Sequence, residues 1–274
     1  MELARSSFYY KAKAENPDQK ETETDLRDRI EAICVEFPRY GYRRVTEQLK
    51  REHRLVNHKK ILRLMRESDL LCRVKRRWVN TTDSKHPFPR YPNLIKDMAV
   101  NKLNQVLLAD STYIRIKTGF VYLAAILDAY SRRVIGYAVS KRLDTELTLS
   151  ALRMAIAKRG ANPGIIHHSD QGVQYAATEY VEELKGAGFA ISMSRRGNPY
   201  DNAEMESFFK TLKYEEVNLS EYETYQDVME KLPCFIEDVY NRKRLHSAIG
   251  YLPPIEFEEM VSQGKQVSCQ LLLT

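Results

Sequence analysis

The chain has 274 residues, of which 43% are hydrophobic, and carries a formal net charge of +6. This length and composition are typical of a globular protein with one large core or two smaller cores. The longest apolar run, at 120–127, is too short to cross a bilayer, and the N-terminus lacks the apolar stretch of a signal peptide. We therefore expect a soluble intracellular protein. Cysteine spacing shows no CxxC pair, which favours reduced thiols at Cys34, Cys72, Cys234 and Cys269.

Positive charge is concentrated between residues 41 and 90. This window contains 15 Lys or Arg residues and five acidic residues, a local balance of +10 that leaves −4 for the rest of the chain. A basic block of this kind indicates a phosphate-backbone partner, although a solvated basic surface is the alternative. The sequence therefore favours a nucleic-acid contact in this region.

The first 73 residues have the spacing of helices. Apolar residues recur at helical intervals in 26–37, 42–53 and 58–70, and the last two segments, joined around 53–57, resemble a helix-turn-helix. A small helical bundle without a ligand is the alternative. The DNA contacts predicted from the basic block are Arg43, Arg44, Lys59, Lys60, Arg76 and Arg77.

Residues 74–100 are rich in proline and basic residues and lack periodicity, so they predict an extended linker. His53 and His58 just before it have a spacing found in zinc sites, and Cys72 follows them. No second cysteine accompanies these residues, so we exclude a structural zinc site.

From residue 104 the pattern changes to strands. Three β-branched and aromatic runs at 105–116, 119–130 and 132–140, separated by tight turns, predict an antiparallel meander. A helix at 145–160, a strand at 164–170, a helix at 178–188, a strand at 189–194 and a further helix follow. This order is that of an RNase H-like α/β fold.

Three acids in this region form a candidate catalytic set. Asp110 interrupts an apolar strand, where an unpaired carboxylate is costly, and Asp170 ends a strand, although a simple turn role is its alternative. Glu206 lies on the last helix, beyond its predicted first turn. Asp128 ranks second to Asp110 because it has a ready structural use in a turn. Carboxylate sets of this kind bind Mg²⁺ or Mn²⁺, and two such ions promote phosphoryl transfer.

The helix that carries Glu206 predicts a second feature. Met205, Phe208 and Leu212 recur on one side and should face the core. The other side would then carry a stripe that follows a DNA backbone, and its members are Asn202, Lys210 and Lys213. The alternative is a surface salt bridge between Glu206 and Lys210.

At these residues the sequence closely resembles the integrase-type DDE transposases, specifically the second-frame (OrfB) proteins of the IS3 family of insertion sequences. The matching text is ADSTYI around Asp110, HHSDQGVQY around Asp170 and RRGNPYDNAEMESFFKTLKYE around Glu206, with 35 residues between the last two acids. The C-terminal text YNRKRLHSAIGYLPPIEFE also resembles the family, and we include Arg244 and His246 from it among the DNA contacts. The resemblance covers about residues 5–259.

The resemblance implies a mixed five-stranded integrase core with flanking helices, preceded by a small basic all-helical domain. We expect a DNA-binding helical region at 1–73, a linker at 74–100, the catalytic core at 101–259 and a tail at 260–274. The implied activity is DNA 3′-end cleavage and strand transfer with two Mg²⁺ or Mn²⁺ ions held by the three acids. A plain RNase H-like nuclease and a non-catalytic DNA-binding regulator are the alternatives.

The resemblance also implies partners and a location. The expected DNA substrates are the terminal inverted repeats of the element and a target DNA, bound by a homo-multimer. An upstream-frame (OrfA) protein is a further expected partner, either separate or as a fusion, and no membrane is involved. The expected location is the bacterial cytoplasm, in association with the nucleoid.

Overall fold

The structure, a computed structural model, describes residues 17–72, 89–194 and 202–264. The chain divides into two compact units, Met1–Lys75 and Arg76–Thr274. In the described segments, the helices are all too short or too polar to cross a membrane.

The first unit contains the three predicted helices, α1 (Pro17–Glu36), α2 (Tyr42–Arg51) and α3 (His58–Glu67). The Asn57 side chain begins α3 by accepting a hydrogen bond from the Lys59 backbone N–H at 2.8 Å. The apolar residues that recur at helical spacing form the interior of this three-helix unit. The most deeply buried are Ile30, Ile33, Val45, Leu49, Ile61, Leu64 and Met65.

The second unit is built on a mixed five-stranded sheet. Its strands are β1 (Val106–Ile116), β2 (Gly119–Asp128), β3 (Val134–Ser140), β4 (Ile166–Ser169) and β5 (Ala190–Met193), in the order β3-β2-β1-β4-β5. The first three strands pair antiparallel, whereas β4 pairs parallel to β1 and β5 parallel to β4. The predicted meander and the predicted RNase H-like order are both confirmed.

Helices cover both faces of this sheet. They are α4 (Thr145–Arg159), α5 (Val173–Ala176), α6 (Thr178–Gly186), α7 (Ala203–Leu212), α8 (Asn218–Ser220), α9 (Tyr225–Cys234) and α10 (Pro254–Ser262), with π-helical turns at Lys213–Val217 and Phe235–Tyr240 and a 3₁₀ turn at Ser247–Ile249. Because successive strand residues face opposite sides, Leu108 packs in one core with residues of α7 and α9, and Leu107 packs in another with residues of α4 to α6.

Residues 89–105 contain no helix or strand, yet part of this segment packs against the sheet of the second unit, to which it belongs. Tyr91 and Ile95 contact the two hydrophobic cores, and the Leu94 N–H donates to Ser192 Oγ at 2.9 Å. This end of the predicted linker is therefore bound to the sheet. The predicted boundaries at 73, 100 and 259 stay predictions.

The C-terminal part of the second unit is bonded to the turn between β2 and β3. Asn241 bonds both the N–H and the C=O of Val134 at 3.0 Å, as a neighbouring strand would. Glu258, on α10, accepts from Ser131 Oγ at 2.7 Å and from Arg133 at 2.6 Å. These bonds give the C-terminal sequence a structural role.

Candidate active site

Asp110 lies on β1, and Asp170 directly follows β4, the parallel strand next to β1. In the register of β1 and β4, Ala109 pairs with Ser169, and each aspartate is the next residue along its chain. Neighbouring strands are about 4.8 Å apart, so the topology brings these two acids together. The sequence placed Asp110 within a strand and Asp170 at a strand end, as the structure does.

Hydrogen bonds hold the two aspartate side chains. Asp110 Oδ1 accepts from the Ser111 N–H at 2.7 Å, and Asp110 Oδ2 accepts from Asn202 Nδ2 at 3.3 Å. Asp170 Oδ1 accepts from the Gly172 N–H at 2.9 Å. A Cβ atom on residue 172 would lie 2.9 Å from that same oxygen, so glycine permits this close approach.

Glu206 is exposed near the start of α7, the helix whose apolar residues Met205, Phe208 and Leu212 are buried as predicted. The α-helix begins at Ala203, so Glu206 lies in its first turn, and the prediction that it lies beyond that turn is wrong. The predicted turn acid Asp201 lies outside the described residues.

A second glutamate on α7 has a different role from Glu206. Glu204 forms an ion pair at 3.0 Å with Arg132, which lies in the turn between β2 and β3. This contact links α7 to the sheet and uses Glu204 structurally. The sequence carried no local signal for the contact, because the two residues are far apart along the chain.

Negative charge accumulates around Asp110. Burial raises its pKa to about 8, and the charges of Asp170 and Glu206 add to this rise. The Ser111 N–H and the Lys213 ammonium act in the opposite direction. The three acids therefore lie near enough to repel one another, and one nearby lysine offsets only part of their charge.

This acid group is not arranged as a finished metal site. Within 17–72, 89–194 and 202–264, no three or more His, Cys, Asp or Glu side chains converge to hold an ion. The donor chemistry nevertheless suits Mg²⁺ or Mn²⁺, which prefer carboxylate oxygens. The excess of negative charge at Asp110 is the structural observation that fits such a cation.

Asp128, the second-ranked acid, is fully buried at the end of β2, where the turn to β3 begins. Its side chain accepts backbone N–H bonds from Asn104 at 2.8 Å, Tyr130 at 2.9 Å and Ser131 at 3.0 Å. These bonds occupy the carboxylate and give it the structural use expected from its position.

Tyr175 is a residue near the acids that sequence reasoning missed. It lies on α5 and is 1% exposed, and its hydroxyl has no hydrogen-bond partner among the described residues. Burial raises its pKa well above the usual value, and the charges of Asp110 and Asp170 contribute. The hydroxyl therefore lies within electrostatic range of both aspartates.

The residues predicted to line up on α7 have different environments. Asn202 is buried against Asp110, whereas Lys210 is exposed. Lys213 is half-buried, with its ammonium 4.5 Å from the centre of the Tyr113 ring, and burial lowers its pKa. Among the described residues, no ion pair joins Lys210 to Glu206, which was the alternative interpretation.

Arg244 and His246 do not lie on an open DNA-binding surface. Arg244 is 4% exposed and donates two hydrogen bonds of 2.7 Å to the Glu215 carboxylate. His246 is also buried, 3.3 Å from the Arg244 guanidinium. In this geometry the guanidinium joins two segments of the second unit, and the phosphate contacts expected of Arg244 and His246 stay predictions.

Four of the predicted DNA contacts lie in the first unit. Three of them are exposed, namely Arg43, Lys59 and Lys60. Arg44 is half-buried, with its guanidinium 5.5 Å from the centre of the Tyr40 ring. The Lys60 ammonium lies 3.4 Å from Glu23. Arg76 and Arg77 lie outside the described residues. Exposed basic side chains therefore lie on both α2 and α3.

Comparisons with known proteins agree with this architecture. The Integrase core domain family matches residues 100–199, a second Integrase core domain family matches residues 187–254, and the HTH-like domain family matches residues 21–78. The first two matches cover the sheet and the helices that carry the acids. The third covers the three-helix unit and confirms the predicted helix-turn-helix resemblance.

Three curated relatives align over most of the chain. The "Insertion element IS600 uncharacterized 31 kDa protein" of Shigella sonnei is 37% identical over 95% of this chain and 97% of its own length. The "Transposase for insertion sequence element IS904" of Lactococcus lactis subsp. lactis (strain IL1403) is 37% identical over 89% of this chain and 97% of its own length. The "Transposase InsF for insertion sequence IS3A" of Escherichia coli (strain K12) is 35% identical over 80% of this chain and 77% of its own length. The chain therefore belongs to the integrase-type DDE transposases of insertion sequences, as a second-frame (OrfB) protein of the IS3 family.

Proposed function

We propose that this transposase cleaves DNA at the 3′ ends of an insertion sequence and joins the freed ends to target DNA, with Asp110, Asp170 and Glu206 as its catalytic carboxylates. The observation that carries this proposal is the crowding of the three acids, which raises the pKa of Asp110 to about 8 through burial and mutual repulsion. A protein retains such a costly group where an external cation or substrate uses it.

The same acids are the proposed ligands of two divalent metal ions. Integrase-type cores use divalent metals, and carboxylate oxygens are suitable ligands for Mg²⁺ and Mn²⁺. When bound, two such ions activate the attacking oxygen and stabilise the leaving oxygen in phosphoryl transfer. Asp110 is the central ligand in this assignment, because it interacts with both Asp170 and Glu206.

Neighbouring groups prepare the acids for this role. The Ser111 N–H and the Asn202 amide each hold one oxygen of Asp110, so this side chain has a defined orientation. The Gly172 N–H holds one oxygen of Asp170 in the same way. Hydrogen-bonded carboxylates lose less conformational freedom when they bind a cation, which favours binding.

Basic residues supply the proposed DNA contacts. Lys210 is exposed on the helix that carries Glu206, where a phosphate can reach it. Exposed residues of α2 and α3, Arg43 and Lys59 among them, extend the proposed contact through the helix-turn-helix-like unit. The proposed substrates are the terminal inverted repeats and a target DNA.

The remaining partners follow from this activity. Joining two element ends in one reaction requires two active sites, so we infer that the protein assembles as a homo-multimer on DNA. An upstream-frame (OrfA) protein is the proposed second partner. A transposase of bacterial DNA would work at the nucleoid in the cytoplasm.

Substitution of the acids tests the proposed function. Asp110→Asn, Asp170→Asn and Glu206→Gln should each lower cleavage of labelled element ends by about 10³-fold, because each loses a metal ligand worth several kcal/mol. DNA binding should stay nearly unchanged, since no phosphate contact is removed. Glu204→Gln is the matched control, because this neighbouring glutamate pairs with Arg132 and is not assigned to the metal.

The same assay separates the alternatives when it is run with and without Mn²⁺. A plain nuclease would cleave the ends but produce no joined products. A non-catalytic regulator would show no metal-dependent cleavage, and the three substitutions would change nothing. Normal cleavage by Glu206→Gln together with loss in Glu204→Gln would reassign the third carboxylate.

A further inference from the structure

A buried hydroxyl without a partner lies beside the catalytic acids. Tyr175 is 1% exposed, and its hydroxyl makes no hydrogen bond to any described residue. The neighbouring buried tyrosine, Tyr180, is different, because its hydroxyl lies 3.0 Å from His167 Nε2. Buried polar groups are normally satisfied, so an exception calls for an explanation, such as a partner that is present only in the functional state.

The surroundings of Tyr175 restrict what that partner is. Its hydroxyl interacts electrostatically with Asp110 and Asp170, and the Ser111 hydroxyl lies near enough to lower the pKa of Tyr175, although the contact does not reach hydrogen-bond geometry. The adjacent Gln174 donates to Ser111 Oγ at 3.3 Å. The start of α5 is therefore held against β1 next to the paired aspartates.

The position of the Tyr175 ring is also fixed. It packs edge-on against the Tyr180 ring, with centroids 5.5 Å apart and planes at 79°. A phenol has one rotatable hydroxyl on a rigid ring, so fixing the ring leaves only the O–H direction to adjust. The hydroxyl can therefore donate to a carboxylate that turns toward it, without movement of the helix.

We propose that Tyr175 is a positioning residue whose hydroxyl donates a hydrogen bond to a carboxylate oxygen of the Asp110–Asp170 pair when that pair binds divalent metal. This inference rests on the proposed function of the two aspartates. Among the described residues, Asp110 Oδ2 accepts only a long bond of 3.3 Å, from Asn202, so this oxygen can exchange its donor at low cost.

The proposed bond would act on metal binding. Groups that hydrogen-bond a ligating carboxylate orient it, and their removal typically weakens metal affinity or activity by about 10- to 100-fold. Tyr175 thus adds a donor from α5 to the donors that Ser111 and Asn202 already provide. Each donor comes from a different segment of the second unit.

Two matched substitutions in the full chain test this role. Tyr175→Phe and Tyr180→Phe each remove one buried hydroxyl from neighbouring, contacting rings. Binding of Mn²⁺ is followed by the electron paramagnetic resonance signal of the free ion, and unfolding is followed by circular dichroism. Tyr175→Phe should raise the Kd for Mn²⁺ by roughly tenfold or more while its Tm is unchanged or higher. Tyr180→Phe should lower the Tm through loss of the His167 bond and leave the Kd unchanged.

Asp110→Asn in the same Mn²⁺ titration separates the proposed role of Tyr175 from the proposed metal site itself. If this variant loses Mn²⁺ binding while Tyr175→Phe binds as the wild type does, the role of Tyr175 is refuted and the metal site stands. If Asp110→Asn itself binds Mn²⁺ normally, the assigned ligand set is wrong and the Tyr175 inference fails with it. Equal weakening by both tyrosine variants would also overturn the inference, since it would show a general packing effect.

Discussion

Glu23 of the helical unit and Asp110 of the sheet unit lie among charges of opposite sign. In the helical unit, Glu23 lies within 3.4 Å of cationic groups of Arg27, Lys60 and Arg63. In the sheet unit, Asp110 lies near two other acids and is offset in part by one half-buried lysine. Acids that are matched by cations stabilise a fold, whereas acids gathered together destabilise it until a cation binds. The contrast indicates that Glu23 has a structural role, whereas Asp110 has a role in binding or catalysis.

The largest effect on stability should come from breaking a matched pair that is buried. Arg244→Ala would leave the Glu215 carboxylate, with 11% of its side chain exposed, without its two guanidinium bonds of 2.7 Å. We expect the free energy of unfolding to fall by about 3–5 kcal/mol, measured by urea denaturation. Arg242→Ala is the control, because its pair with Asp238 is 3.8 Å long and well exposed, and it should change stability by less than about 0.5 kcal/mol.

The Arg244 experiment also tests the contact predicted from the sequence. If Arg244→Ala unfolds like the wild type but binds DNA weakly, the side chain leaves Glu215 to reach a phosphate. In that case the Arg244–Glu215 pair would exist only in the DNA-free protein, and Arg244 would be a DNA contact and not a structural partner of Glu215.

The next effect concerns the unmatched acid. The pKa of Asp110 is raised to about 8 from its ordinary value of 3.8, so the folded protein binds this proton more tightly than the unfolded chain does. The resulting stabilisation is fully present below about pH 4 and is lost as the pH rises through about 8. With metal removed by a chelator, Asp110→Asn should lose this decline and be more stable than the wild type at pH 8.5, measured by urea denaturation.

Asp128→Asn is the control for that measurement. Burial also raises the pKa of Asp128, but its carboxylate accepts three backbone N–H bonds, and an amide nitrogen in that place would oppose one of them. This variant should therefore be less stable than the wild type at the same pH. Equal stability of Asp110→Asn and the wild type across pH 4 to 8.5 would contradict the view that repulsion among the acids destabilises the metal-free fold.

Much of the fold could be predicted because its signals are local. Helical spacing indicated α1 to α3, and alternating strands indicated the sheet, whose parallel pairing then brings Asp110 and Asp170 together. The position of Glu206 within its helix was less certain, because helix starts depend on capping contacts that vary by a few residues.

The missed features all depend on contacts between distant parts of the chain. Arg132 pairs with Glu204, and Arg244 pairs with Glu215. The sequence around a single arginine does not show whether its side chain is buried in such a pair or exposed to solvent. Tyr175 is one of 17 tyrosines in the sequence, and only packing shows that its hydroxyl is buried without a hydrogen-bond partner among the described residues. Local sequence therefore located the acids but not the side chains that hold them.

A smaller effect is expected in the helical unit, where two adjacent lysines differ in their surroundings. Among the described residues, the exposed Lys59 ammonium has no ion-pair partner, whereas Lys60 lies 3.4 Å from Glu23. Lys59→Ala should reduce the salt dependence of DNA binding by roughly one unit of slope, as expected for one lost phosphate contact. Lys60→Ala should change it less, because Glu23 already offsets its charge.

Fluorescence anisotropy of a labelled duplex at several salt concentrations gives both slopes. If neither variant changes its slope, the exposed face of α3 is a solvated surface, and the basic block does not mark the DNA contact. If Lys60→Ala has the larger effect, its ion pair with Glu23 opens on binding, and the pairs of the helical unit are not fixed structural contacts.

The smallest effect on stability should distinguish the two lysines of the helix that carries Glu206. Lys213 is half-buried with its ammonium over the Tyr113 ring, so Lys213→Ala should lower the free energy of unfolding by about 0.5–1 kcal/mol. Lys210 is exposed, and Lys210→Ala should leave stability unchanged within about 0.5 kcal/mol. Both variants should bind element ends and join strands less well at physiological salt, because each removes a positive charge beside the acids. If Lys210→Ala joins strands as the wild type does, this lysine is a solvated charge, and the proposed phosphate contact is confined to Lys213, the residue that already offsets part of the charge of Asp110.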